Sequence, residues 1–438
     1  MGRLRQMENL RKLLAGTYRD PDTGEFLHVP MRMLKIEPSL AGCEGDLIKA
    51  LDLPGPFAVL SDDNTHEALG HRIEAALKPL GEVVAIRLGK RPHPDDKTAA
   101  RVMREGEKAG SYIAVGSGSI TDLAKYSAAR QGKRCAVFAT APSMNGYTSV
   151  NAAITVNGHK KSLAAVSPDG VFIDLDVLAK APKRLIQAGF GDAICRSTAQ
   201  ADWLLASRLL GQTYRLAPFA FIADLENELI ADPAALLKGD RAALSCLIQI
   251  LLLSGFGMTI CGGSYPASQG EHLISHHVEM MPPEGWEPAL HGEQIAVTTL
   301  VMAKLQDDIL ERDVPPELGA SRLSVHRLRS HFGEDVGLAC WKDIQPKLAD
   351  DTSAARLNER LQALWPRLRS EINLVRRPAA QIDKALRDIE APRRYGDIGL
   401  TRTAFTDAIL HAREIRNRYT FLDLAADSGL LEPERLID

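Results

Sequence analysis

From about residue 40 to Asp174, short apolar runs alternate with amphipathic stretches. Phe57 to Leu60, Val83 to Leu88, Tyr112 to Val115, Cys135 to Ala139 and Val171 to Ile173 are too short for stable helices and read as strands, the last closed by Asp174. Between them, Thr65 to Lys78 sets Leu69, Ile73, Ala76 and Leu77 on one helical face, and Lys97 to Ala109 and Ile120 to Arg130 follow the same period. Strands alternating with helices predict a parallel sheet with helices on both faces. The stretch from Val150 to Val166 breaks the rhythm, because Asn157 and Gly158 form a hairpin turn signal between the arms Ala153–Val156 and Ser162–Val166. The first forty residues, with an extended stretch at Arg32–Ile36, read as an arm.

After Asp176 the strand signals stop. Helical patterns run from about Pro182 to the end, broken by Pro and Gly at 262–266, 282–288 and 315–319. The last helix, Arg402–Tyr419, carries charge pairs and is expected to keep one solvated face. The predicted fold class is α/β: an N-terminal parallel-sheet domain over 1–175, followed by an all-helical C-terminal domain over 176–438. There is no internal repeat.

Composition narrows the picture. A chain of 438 residues exceeds one ordinary core, and a 45% hydrophobic content is enough for two. A net charge of -3 gives no reason to expect nucleic acid or an anionic membrane as partner, while leaving room for a small anion. The six cysteines form no CxxC pair and read as buried thiols in a reducing compartment. Met1 to Gly16 has no apolar signal-peptide core, so a cytoplasmic protein is expected. The longest apolar run, Ala242–Ile260, has the length of a membrane span, but Gln249, Ser254, Gly255 and Gly257 interrupt it. It reads as a buried helix.

Two stretches carry chemistry. Gly116-Ser117-Gly118-Ser119 joins an apolar strand to a helix, so glycine backbone and unpaired first-turn N–H groups form a cradle for a phosphate. It is neither GxGxxG nor a P-loop, and an empty strand-to-helix turn remains the alternative. Asp122 and Lys125 follow in the helix. Asp62 and Asp63, beyond the first strand, fit either ribose hydroxyls or a helix cap with Asn64 and Thr65. In Glu271-His272-Leu273-Ile274-Ser275-His276-His277, His272 and His276 share a helix face; His291-Gly292-Glu293 follows and Gly189-Phe190-Gly191-Asp192 precedes. Two imidazoles and a carboxylate suit a divalent metal with an open position. The alternative is a set of polar core or surface groups. Leu273 excludes the zinc-protease motif, and Cys261 is a weaker ligand candidate.

The order glycine loop, Gly-Asp, Glu-His, His-Gly-Glu resembles the iron-containing alcohol dehydrogenase and dehydroquinate synthase superfamily, nearest its sn-glycerol-1-phosphate dehydrogenase branch. The segments are Val115–Lys125, Thr140–Ser149, Ile186–Asp192, Tyr265–His276, His291–Glu293 and Arg416–Leu422. The resemblance implies a Rossmann-like dinucleotide-binding domain over 1–175 and a metal-binding and substrate domain over 176–438. It implies NAD or NADP, with Asp62 and Asp63 favouring NAD, and one divalent metal: zinc, nickel or iron. Metal ligands then fall on Asp192, His272 and His291. Gly116, Ser117, Gly118, Ser119 and Asp122 match the pyrophosphate turn, and Thr140 and Ser143 the loop beside the nicotinamide. His276 is assigned to substrate or proton transfer, and Lys160 or Lys161 to an anionic group. Asn145 stands where related dehydrogenases carry an Asp that touches substrate hydroxyls, which leaves the substrate open. The implied substrate is a small phosphorylated polyol, glycerol 1-phosphate or dihydroxyacetone phosphate, and the implied assembly a homo-oligomer, dimer or larger. A dehydroquinate-synthase-like cyclase and a catalytically silent binding protein are the rival readings.

Overall fold

The computed structural model describes residues 7–156 and 159–437. Its strands are β1 (Tyr18–Arg19), β2 (Phe26–Leu27), β3 (Met33–Glu37), β4 (Phe57–Ser61), β5 (Val83–Arg87), β6 (Ser111–Gly116), β7 (Arg134–Ala139), β8 (Asn151–Val156), β9 (His159–Ala164) and β10 (Gly170–Asp174). Among its helices are α1 (Glu44–Leu51), α2 (His71–Leu77), α3 (Asp96–Glu105), α4 (Gly118–Gln131), α5 (Lys183–Ile194), α6 (Arg196–Leu210), α7 (Arg241–Ile260), α8 (Gly270–Met280), α9 (His291–Leu310), α10 (Val325–Phe332), α11 (Asp351–Val375) and α12 (Arg402–His411). No strand follows Asp174 among the described residues.

Six strands form one parallel sheet in the order β3-β10-β7-β6-β4-β5. The inner strands β4, β6 and β10 are buried along their whole length, which is why they read as continuous apolar runs. Edge strand β3 instead alternates, with Leu34 and Ile36 buried and Lys35 and Glu37 exposed. Its pairing with β10 corrects the expectation of an N-terminal arm. The helix Glu8–Leu14 also buries Leu10 and Leu13, and the Asn9 side chain donates to the Phe221 carbonyl at 2.9 Å. Ordering this segment is favourable because its apolar alternation finds a core and a sheet edge.

The stretch Thr65–Lys78 is helical but not uniform. A short turn, Asp63–Thr65, runs through a π-type turn at His66–Gly70 into α2. The hairpin is present as β8 and β9, paired antiparallel from Asn151 opposite Ala164 to Val156 opposite His159. Its predicted turn, Asn157-Gly158, lies outside the described residues.

The described residues form two compact units. One holds the chain up to Ala193 together with Leu216–Gly263; the other holds Ile194–Arg215 and the chain from Ser264 onward. Secondary structure changes at 175, but packing does not. The long apolar helix α7 returns to the sheet unit, where the Thr148 hydroxyl donates to the Leu252 carbonyl at 2.6 Å. Leu247, Ile250, Leu251 and Phe256 of α7 are buried there, so a helix long and apolar enough to cross a membrane serves as core.

The helical unit packs Leu205, Leu273, Val301, Trp365 and Leu422 into one apolar cluster. The predicted helix Arg402–Tyr419 stops earlier than expected: α12 ends at His411 and a 3-10 turn covers Ala412–Glu414. The helix keeps the expected solvated face, with Arg402, Thr403 and Leu410 exposed, whereas Arg413 and Glu414 in the turn beyond it are buried. Arg413 donates to Asp427 at 2.7 Å and Arg327 reaches Glu414 at 3.3 Å, and such pairing is what allows charges inside.

Candidate functional site

In the sheet unit, β4 leads to β5 at one edge, while β6 leads to β7 toward the other. The connections therefore diverge between neighbours β4 and β6, and a parallel α/β sheet leaves a crevice at the carboxyl ends of such strands. Asp62 follows β4, and Gly116 ends β6. Asp62 also caps the turn after it: its Oδ1 accepts the Thr65 N–H at 2.7 Å, and its own N–H donates to the Thr65 hydroxyl at 2.9 Å. The capping alternative raised for Asp62 is thus met by geometry, at the position where a ribose role was also expected.

The glycine turn has the openness its sequence predicts. A Cβ on Gly116 would lie 2.6 Å from the Ile120 Cβ, so only glycine lets β6 turn this tightly into α4. A Cβ on Gly118 would meet nothing nearer than Met144 at 3.8 Å. Ser117 occupies the cap position of α4 but makes no side-chain cap bond. Its hydroxyl is bonded instead to Ser143 and lies 3.1 Å from the Tyr147 hydroxyl. The first-turn N–H groups of α4, Ser119 included, are left without a side-chain cap, which is the condition for binding an anion at a helix N-terminus. Thr140 donates its N–H to the Gly116 carbonyl at 3.2 Å, which brings the 140–149 loop alongside the turn.

That loop is held from below by residues whose role the sequence did not disclose. Lys125, expected near the phosphate turn, is fully buried and donates to the carbonyls of Gly146 and Asn151, both at 2.7 Å, and to Ser149 at 3.1 Å. Burial lowers its pKa, while Asp122 works in the other direction. Asp122 in turn accepts the Ala153 N–H at 3.1 Å, so it braces the hairpin. Tyr147 donates to the Ala141 carbonyl at 2.5 Å, and burial raises its pKa. Gly189 and Gly255 let helices press onto the loop: their Cβ atoms would lie 1.6 Å from the Pro142 oxygen and 2.1 Å from the Thr148 hydroxyl.

Asn145 is placed differently from a simple substrate contact. Its backbone N–H donates to Asp192 Oδ2 at 2.7 Å, and its carboxamide donates to Ser254 at 3.3 Å. It therefore positions Asp192 through the main chain, a contact that any residue except proline supplies. Lys161 is exposed on β9, and the Lys160 side chain lies outside the described residues.

In the helical unit, α8 carries His272 and His276, and His291 opens α9. The three rings gather, with centroids 5.1 Å apart for His272 and His291, 5.9 Å for His272 and His276, and 6.2 Å for His276 and His291. The Ser275 hydroxyl donates to Gln294 at 3.0 Å and fixes one helix against the other. His272 Nδ1 is 2.9 Å from Glu271 Oε1. Glu271 also accepts the Gln269 N–H at 2.8 Å and the Thr198 hydroxyl at 3.3 Å. A carboxylate only accepts, so Nδ1 carries the hydrogen and the lone pair of His272 is on Nε2. Cys195 joins Glu271 and His272 within 4.8 Å, a neighbour that nothing in the local sequence signals.

His276 has Glu279 at 3.2 Å from its Nδ1. Burial pushes its pKa down to about 4, helped by Arg416 and His272 and opposed by Glu279, so the ring is neutral near pH 7. Cys261, the weaker ligand candidate, is half-buried just after α7, in the sheet unit.

A parallel sheet with a glycine turn in one unit and a histidine cluster in the helical unit are features of a metal-dependent alcohol dehydrogenase. Residues 35–182 match the family model described as iron-containing alcohol dehydrogenase. A probable glycerol dehydrogenase from Sinorhizobium meliloti superposes with a TM-score of 0.60 at 18% identity, over 93% of this chain and 95% of that one. The glycerol-1-phosphate dehydrogenase [NAD(P)+] of Sulfurisphaera tokodaii is 35% identical over 59% of this chain and 72% of its own length. The enzyme of the same name from Bacillus velezensis is 28% identical over 85% and 86%. The chain belongs to the iron-containing alcohol dehydrogenase family, on its glycerol-1-phosphate dehydrogenase branch.

Proposed function

We propose that this protein is an NAD(P)-dependent oxidoreductase that interconverts glycerol 1-phosphate and dihydroxyacetone phosphate with the help of one divalent metal. The observation that carries this reading is the pairing of His272 with His291, with the His272 lone pair held on Nε2 by Glu271, in a chain 35% identical to a named glycerol-1-phosphate dehydrogenase. The relatives are dehydrogenases by name, which favours oxidoreduction over cyclisation and over a silent binding role.

The metal is assigned to Asp192, His272 and His291. The set fits zinc, nickel or iron alike, and the neutral imidazole and carboxylate donors suit a divalent ion. When bound, the ion supplies Lewis acidity to a carbonyl oxygen and the nicotinamide supplies or accepts the hydride. The chain supplies the rest. The uncapped first turn of α4 binds the pyrophosphate, with Gly118 allowing close approach. Asp62 accepts from ribose hydroxyls, which favours NAD over a 2′-phosphate. Thr140 and Ser143 line the nicotinamide side. Asn145 sets Asp192, and Lys125 holds the loop that carries both Ser143 and Asn145. His276, neutral and bonded through Nδ1 to Glu279, accepts or returns a proton at Nε2. Arg416, whose charge reaches His276, offers a cation for the substrate phosphate. A cytoplasmic homo-oligomer, a dimer or larger, belongs to the same proposal.

The test follows NADH oxidation at 340 nm with dihydroxyacetone phosphate, on metal-stripped protein reloaded separately with zinc, nickel and iron. Metal-dependent turnover is the expected result. Absence of turnover with every metal, in protein shown to bind both NADH and metal, would overturn the substrate assignment.

A further inference from the structure

Helix α8 carries another imidazole, one residue beyond His276, that takes no part in the site above. His277 is buried, and its Nε2 lies 3.0 Å from the Nε2 of His331 on α10. Asp407 on α12 places Oδ2 3.8 Å from His331 Nε2 and 4.0 Å from His277 Nε2. Both carboxylate distances are too long for hydrogen bonds. These three edges enclose a point about 2.1 Å from every corner, which is the bond length of zinc to imidazole nitrogen or carboxylate oxygen. One ion at that point satisfies all three groups at once. A single hydrogen bond between the two imidazoles satisfies only two of them.

Further titratable groups lie around these three. His411, one turn after Asp407 on α12, stacks on His331 with ring centroids 3.8 Å apart. Its Nε2 lies 3.7 Å from the other oxygen of Asp407, and its Nδ1 lies 3.1 Å from buried Glu414. His277 Nδ1 is buried with no hydrogen-bond partner, so the polar neighbours of that ring lie at its Nε2 end. Burial, with His331 and His411 adding to it, pushes the His277 pKa down to about 3, so its lone pair is available at neutral pH. Asp407 is 46% exposed, which leaves an entry path for an ion and room for water in a fourth position.

We propose that His277, His331 and Asp407 form a second divalent-cation site, of zinc type, that ties α8 to α10 and α12. The site is independent of the dehydrogenase reading, because it shares no ligand with His272 or His291. Its position on the helix that carries His272 makes it a brace for that helix.

The test uses cobalt(II) as a spectroscopic stand-in for zinc. Full-length protein stripped with a chelator is titrated with cobalt(II), and bound equivalents are counted by elemental analysis and visible absorption. Wild type is expected to bind two equivalents. His331→Ala and Asp407→Asn each bind one, with turnover kept, and His272→Ala binds one with turnover lost. His331→Ala combined with His272→Ala binds none. Circular dichroism checks that each variant is folded, and Asp407→Asn, at an exposed position, guards against a folding failure at His331. Unchanged stoichiometry in both His331→Ala and Asp407→Asn would overturn the proposal, as would a single wild-type equivalent lost only in His272→Ala. If the dehydrogenase reading fails instead, His331→Ala still loses one equivalent.

Discussion

The two histidine sets on α8 are assembled in opposite ways. His272, His276 and His291 lie within twenty residues of one another, on one helix and at the start of the next. His277, His331, Asp407 and His411 come from three helices separated by long stretches of chain. The first set has its ring orientation fixed from behind, by Glu271 at 2.9 Å from His272 and Glu279 at 3.2 Å from His276. In the second, His277 Nδ1 has no such partner, and the carboxylate is half-exposed. Reaction at a metal needs a ligand fixed in tautomer and direction, whereas a tether between helices needs only donors at bonding distance. The contrast supports the proposed division, chemistry at the first set and bracing at the second.

The most decisive way to break this contrast is His272→Ala. Loss of one group that stabilises a developing alkoxide costs on the order of 10²–10³ in turnover, and loss of the ion costs more. The expected result is turnover at background with one cobalt equivalent still bound. Full turnover in metal-loaded His272→Ala would reverse the roles of the two sets. A finer test is Glu271→Gln. Glu271 is a positioning residue whose two oxygens accept from His272, Gln269 and Thr198. Glutamine has one acceptor oxygen for those three donors, and its amide favours the wrong His272 tautomer. Metal affinity at the first set should fall about 10–100-fold, read by competition with a chelator, with turnover recovered at excess metal. An unchanged affinity would mean that Glu271 does not orient His272.

What the sequence disclosed follows the range of the interactions. The inner strands were legible because burial on both faces leaves an uninterrupted apolar run, as at Phe57–Ser61. The glycine turn was legible because Gly116 answers a clash with Ile120 only four residues away. His272 and His276 were legible because helical spacing puts them on one face. The supports were not. Lys125 contacts backbone carbonyls that any sequence provides, and Asn145 sets Asp192 through its own N–H. His331 and Asp407 carry no local pattern that points to His277. The arm was misread because its contacts are distant in sequence, as with Asn9 and Phe221, and so is the pairing of Glu414 with Arg327 beyond the last helix.

The smallest expected effect, and the one that sharpens the contrast without metal, is a pH slope. In metal-free protein His277 faces His331 and His411, with the Asp407 carboxylate 4.0 Å away and Glu414 beside His411, and its pKa is about 3 against an unfolded value near 6.5. Below 6.5 the unfolded chain takes up a proton that the folded chain refuses, so stability is full above that pH. It declines as pH falls from 6.5 toward 3. One proton corresponds to about 1.4 kcal/mol per pH unit. Urea unfolding at a series of pH values should therefore show a shallower acid decline in His277→Gln than in wild type, by up to that amount. Zinc at neutral pH should stabilise wild type more than His277→Gln, because the ion binds the folded lone pair that the proton cannot reach. Equal slopes in the two proteins would mean that folded His277 takes up its proton as readily as the unfolded chain does, so that burial does not keep its lone pair free in acid.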